Sequence, residues 1–100
     1  MWYCADYQAL EGHEFELRHD AGTERVYLQE VRLLELTDDS ESFSLLFVSS
    51  CRDFAQGTYS MYNQMLGPLE LFLVPVGPCP GTPEGWAYES VFNIRLDESG

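Results

Sequence analysis

Basic residues are scarce in this chain. Its 100 residues carry 5 Lys and Arg against 17 Asp and Glu, a formal net charge of −12. Such a surface repels phosphate and lacks the cations that nucleic-acid binding requires. No direct nucleic-acid partner is therefore expected, and an anionic membrane surface is an equally poor one. No apolar run approaches the roughly 20 residues of a membrane-spanning helix. The start, Met1-Trp2-Tyr3-Cys4-Ala5-Asp6, lacks the basic-then-apolar order of a secretory signal. There is no Asn-x-Ser/Thr acceptor. The cysteines are Cys4, Cys51 and Cys79. An odd count at wide spacing, with no CxxC, argues against a disulfide framework and for a reducing, cytoplasmic setting, with one bridge plus a free thiol left open as the alternative.

Motifs that carry chemistry are also missing. There is no P-loop, GxGxxG or G-x-S-x-G, and no calcium-loop pattern around Asp38, Asp39 and Glu41. His13 and His19 flank one strand, so an extended chain sets them ~20 Å apart, too far to share an ion. Cys51 beside Arg52 reads as an idle thiol rather than a nucleophile. Glu14 and Glu16 alternate with Phe15 and Leu17, the pattern of a wetted strand face rather than an acid–base pair. No catalytic, metal or cofactor site is expected.

What is present is period-two hydrophobicity. The apolar content is 45% and the aromatic content 14%, enough for one ordinary core. Asp6 to Gly12 reads as one helical turn, with Asp6 as N-cap, Gly12 at C′, and Tyr7 and Leu10 on one face. His13 to His19 alternates, and Asp20 to Thr23 is a hairpin turn in which Gly22 takes positive φ. From Glu24 to Thr37 the alternation slips twice: Val26 and Leu28, then Val31 and Leu33, then Leu34 and Leu36. A straight strand of this length would span ~46 Å, wider than a domain of this size with a radius of gyration of roughly 13 Å. The spacing predicts β-bulges near Gln29-Glu30 and Leu33-Leu34.

Thr37 to Glu41 reads as a loop and Ser42 to Ser50 as a buried strand. Cys51 to Gln56 is ambiguous, with one helical turn as an option. Gly57 to Tyr62 alternates, Asn63 to Pro68 turns, and Leu69 to Val76 is a strand whose Pro75 marks an edge or a bulge. Gly77 to Gly85 is a Gly/Pro loop. Trp86 to Leu96 is the last strand, with Tyr88, Ser90, Phe92, Ile94 and Leu96 on one face. Residues 97–100 read as a flexible tail. No internal repeat is apparent. The expected architecture is all-β: residues 1–100 as a single domain, a small antiparallel barrel or sandwich of about six strands with a short N-terminal helical turn.

A resemblance extends this reading. Ser42 to Phe47 (SFSLLF), Gln56 to Tyr59 (QGTY), Leu66-Gly67, Leu71 to Gly77 (LFLVPVG) and Tyr88 to Asn93 (YESVFN), with Gly12, Phe15 and Leu17, together resemble a family of short bacterial β-domains of unknown function. Trp86 and the Gly/Pro loop fall where members vary. The resemblance implies no catalytic residues. It implies genes encoded beside phage tail-collar-like fibre proteins, hence an accessory or assembly role. The acidity exceeds what the family pattern requires. The expected function is a non-catalytic protein-binding or assembly module with a basic or fibre-like protein partner. The alternative is an acidic decoy covering a basic nucleic-acid-binding surface of an enzyme. The candidate interaction residues are Asp38, Asp39, Glu41, Gln56, Tyr59 and Trp86.

Overall fold

A computed structural model describes residues 2–20, 22–50, 54–78 and 85–95. The elements run α1 (Cys4–Gln8), β1 (Glu14–His19), β2 (Gly22–Leu36), β3 (Ser40–Ser49), β4 (Gly57–Asn63), β5 (Gly67–Pro78) and β6 (Trp86–Arg95). The strands close into a barrel in the order β1-β2-β3-β6-β5-β4, every neighbour antiparallel. Closure settles the choice between barrel and sandwich.

Alternation builds the interior. Phe15 and Leu17 of β1, Val26 and Leu28 of β2, Phe43, Leu45 and Phe47 of β3, Met61 of β4, Leu71 and Leu73 of β5 and Tyr88 of β6 are all buried. Phe15 meets Phe47 edge-on at 5.2 Å between ring centroids, and Phe43 stacks on Phe92 at 4.9 Å. Each such ring pair adds about 0.5–1.5 kcal/mol beyond area burial.

β2 bends where the sequence slips. Its register against β3 shifts between Leu28 and Glu30 and again between Leu33 and Glu35. β5 shifts between Pro75 and Gly77. In a closed barrel Pro75 therefore marks a bulge, which tolerates the missing N–H donor.

The barrel consists of two three-strand meanders related by an approximate two-fold axis. The two meanders, β1–β2–β3 and β4–β5–β6, meet antiparallel at β1–β4 and at β3–β6, as such an axis requires. The match is one of topology and not of register: shifting Leu17↔Glu24 by 45 gives Tyr62↔Leu69, whereas the ladder pairs Tyr62 with Pro68. Gly22 (φ 139°) and Gly67 (φ 80°) open the two long strands. The chain thus holds a topological repeat that the sequence reading did not detect.

The segment before each meander stoppers one barrel end. Ahead of β1, Tyr7 of α1 lies 5.7 Å from both Phe43 and Phe92. Ahead of β4, Phe54 lies 5.5 Å from Tyr88 and 5.3 Å from His19 at the opposite end. The helix begins earlier than expected: Tyr3 is its N-cap and Asp6 its third residue, whose carboxylate accepts the Tyr3 N–H at 2.8 Å. The C-cap is Ala9 rather than a residue just before Gly12. Ser40 and Glu41 belong to β3, and Gly77 and Pro78 to β5, so both neighbouring loops are shorter than read from the sequence. Cys51, Cys79, Leu96, most of the Gly/Pro loop and the tail lie outside the described residues.

Candidate functional site: an overhanging strand arm

β2 is too long for the barrel it helps to close. It pairs with β1 only from Gly22 to Tyr27. Beyond that, Leu28 exchanges backbone bonds with Gly12 and His13, and the Val31 N–H donates to the Glu11 carboxylate at 2.7 Å. From Arg32 onward β3 is the one strand paired with β2 among the described residues. β2 thus runs on as an arm along β3, whose other side is paired with β6, and the molecule measures 43 × 27 × 23 Å. Every residue from Arg32 to Asp39 is exposed. Three are leucines: Leu33, Leu34 and Leu36 are 45%, 51% and 58% exposed.

Carboxylates rim these leucines. Residues 30–41 hold Glu30, Glu35, Asp38, Asp39 and Glu41 against a single Arg32. Arg32 is already paired with Glu30 at 3.3 Å. At the arm tip Thr37 Oγ donates to Asp39 at 2.9 Å, and the Ser40 N–H donates back to Thr37 Oγ at 3.1 Å, fixing the turn.

α1 anchors the arm close to its tip. Glu41, opposite Leu36 across the ladder, accepts the Cys4 N–H at 2.9 Å. The Cys4 thiol is buried, and burial first, then the Glu41 and Glu11 carboxylates, raise its pKa above the usual thiol value. The exposed rings of Trp2 and Tyr3 belong to the residues leading into Cys4, so they stand at the Leu36 end of the arm.

The six residues singled out in the sequence separate into two groups. Asp38 and Asp39 lie exposed at the arm tip, and Glu41 lies half-buried beside it, opposite Leu36, as the acceptor for α1. The other three lie at or near strand starts elsewhere. Gln56 is exposed just before β4. Tyr59 donates its hydroxyl to the Ala55 carbonyl at 2.5 Å and packs its ring on Phe54, a structural post. Trp86 opens β6 and packs, half-buried, against the core. The leucines were missed because alternation shows which residues share a face, not which face is covered. The signal that could have found them was strand length, which implied an overhang as readily as a bend.

Other groupings are less promising. His13 lines an open groove with Glu14, Glu16 and Tyr62, while His19 lines another with Asp20, Phe54 and Tyr59. Glu14 is held by Arg25 at 2.9 Å and Glu16 lies 3.5 Å from Arg18. Among the described residues no three His, Cys, Asp or Glu side chains gather as metal ligands. No helix among them is long and apolar enough to cross a membrane.

Fold and arm together define a class: a small closed antiparallel β-barrel, stoppered at both ends, with one acid-rimmed apolar strand overhanging the wall. A family model described as a domain of unknown function, DUF6916, matches residues 3–92, and the chain belongs to that family. No curated protein and no solved structure matches the chain.

Proposed function

We propose that this protein is a non-catalytic protein-binding or assembly module whose contact surface is the β2–β3 arm. The observation that carries the reading is the run of eight exposed residues, Arg32 to Asp39, with three leucines on a strand the barrel does not cover. Contiguous exposed apolar surface with a polar rim is characteristic of interaction sites. The partner is a protein, basic or fibre-like. The acid rim supports the first description and the family resemblance the second. A free buried thiol at Cys4 supports a reducing, cytoplasmic setting.

A second reading, the acidic decoy for a basic nucleic-acid-binding surface, is favoured by uneven charge. Eleven of the 17 acids fall in residues 6–41. In that reading the carboxylates dominate binding and the leucines are incidental.

Both readings are tested with the protein and its Leu33→Ser/Leu34→Ser/Leu36→Ser variant. These exposed positions tolerate substitution within about 0.5 kcal/mol, so the variant folds. Each form is used to capture proteins from the source cells. The captured protein is then identified, purified and titrated by calorimetry. The arm reading expects saturable binding by the wild type and its loss in the variant. Equal binding by both, abolished by salt, selects the decoy. No saturable partner removes both.

A further inference from the structure

The arm offers an open backbone edge as well as side chains, and from this we infer that it binds its partner by strand addition: an extended segment that alternates apolar with Lys or Arg residues pairs with β2 at residues 32–36. The inference rests on the arm reading and specifies the partner's chemistry. Three observations converge on it.

The first is the edge. Up to Val31 the outer side of β2 is occupied in turn by β1, by Gly12 and His13, and by the Glu11 carboxylate. At residues 32–36 the ladder runs on the β3 side alone among the described residues. An unpaired strand edge presents N–H and C=O groups to any extended chain, and peptide recognition commonly uses them.

The second is charge. Five carboxylates and one already paired arginine surround the three leucines. An added strand sets its side chains beside those of β2, where opposite charges directly across attract and like charges repel. A cationic apolar strand fits, whereas an acidic one does not.

The third excludes a second copy of this chain as the occupant. Two arms paired about a two-fold would bring together two segments, residues 30–41, that each hold five carboxylates against one arginine. Centred on Leu34, they would also set the Leu33–Glu35 bulge against its own image. Bulges and edge charges are the usual protection against such self-pairing. A foreign strand carries neither the bulge nor the acids.

The test uses the full chain and a blocked eleven-residue peptide that alternates valine with lysine and arginine. Its controls are the same peptide with glutamate at every cationic position and a version N-methylated on alternate residues. Titration is followed by backbone amide shifts and by hydrogen exchange. The expected result is binding that slows exchange at residues 32–36. It weakens as salt rises and drops at least about tenfold, or 1.4 kcal/mol, with the N-methylated peptide and with Leu36→Lys. The inference is overturned by equal binding of the glutamate peptide, by indifference to N-methylation, by protection elsewhere, by self-association of the protein through the arm, or by no binding below roughly millimolar concentration. The two proposals fail separately. If the natural partner needs the leucines but leaves amides 32–36 unprotected, the arm reading stands and strand addition falls. If the partner ignores the leucines, both fall.

Discussion

The carboxylate of Glu41 accepts the backbone N–H of Cys4 at 2.9 Å, joining β3 to the first residue of α1 across 37 positions of sequence. This bond fixes the helix that closes one barrel end and supports the arm beside its tip. Glu41→Ala leaves a half-buried N–H without its acceptor and should cost about 1–2 kcal/mol in urea unfolding. Glu41→Gln keeps an acceptor oxygen and should cost less. It also removes a negative charge that raises the Cys4 pKa. In a variant whose other two cysteines are serine, the thiol of Glu41→Gln should therefore titrate at lower pH, read from alkylation rate against pH. An unchanged profile would show that Glu41 does not contribute to setting the thiol.

Tyr7 makes the barrel alkali-sensitive. Burial, with a smaller effect from Asp6, pushes its pKa from 10.0 up to about 12. The folded state therefore favours the neutral phenol. The associated stability is fully present below pH 10 and is lost as pH rises through 12. Two pH units correspond to about 2–3 kcal/mol. Stability measured between pH 9 and 12, a window set by those two values, should fall by this amount in the wild type. Tyr7→Phe keeps the ring against Phe43 and Phe92 and should flatten the profile. An equal fall in the variant would assign alkali sensitivity to other groups.

The bends of β2 were legible because a bulge shifts the side-chain alternation, and the slips at Val31 and Leu34 stand in the sequence. Its overhang was not. Alternation tells which residues share a face, not whether anything covers that face, so the exposure of Leu33 and Leu36 could not be read from it. The helix start was hidden for another reason. Asp6 reads as the cap itself, whereas it sits at the third helical position and accepts the Tyr3 N–H, and the Cys4 N–H is taken by Glu41, which is far away in sequence. The repeat escaped because the halves share topology more than residues or register: at an offset of 45, Phe43 falls on Tyr88, Val26 on Leu71 and Tyr27 on Phe72. Gly12 with Gly57, Gly22 with Gly67, Leu28 with Leu73 and Phe47 with Phe92 are among the few identities.

Asn63 is a buried amide whose bonds close the β4–β5 turn onto β1. Its side-chain nitrogen donates to the Glu14 carbonyl at 3.2 Å, and its oxygen accepts the N–H groups of Met65 and Leu66 at 2.8 and 3.0 Å. Asn63→Ala strands all three backbone groups and should cost about 2–4 kcal/mol. Asn63→Asp keeps the acceptor but loses the donor and places a charge beside the Glu14 carbonyl. It should fall between the wild type and alanine at neutral pH and recover as the carboxyl is protonated in mild acid. A loss below about 0.5 kcal/mol for alanine would mean that water replaces the side chain.

The approximate two-fold axis predicts a difference between its own mates. Gly22 and Gly67 open β2 and β5 at equivalent places, and a Cβ on either would meet nothing within 4 Å. Any cost of substitution is thus backbone strain rather than collision. The two strains differ in kind. Gly67, at φ 80°, lies near the left-handed helical region, which asparagine tolerates better than alanine. Gly22, at φ 139°, lies beyond that region, in territory almost restricted to glycine. Gly67→Ala should therefore cost about 1–2 kcal/mol and Gly67→Asn clearly less. Gly22→Ala and Gly22→Asn should be alike, each at about 1–3 kcal/mol. Thermal unfolding of the four variants separates the cases. Equal rescue by asparagine at both sites would mean that the β1–β2 turn relaxes into the left-handed region and that the two halves share one turn geometry.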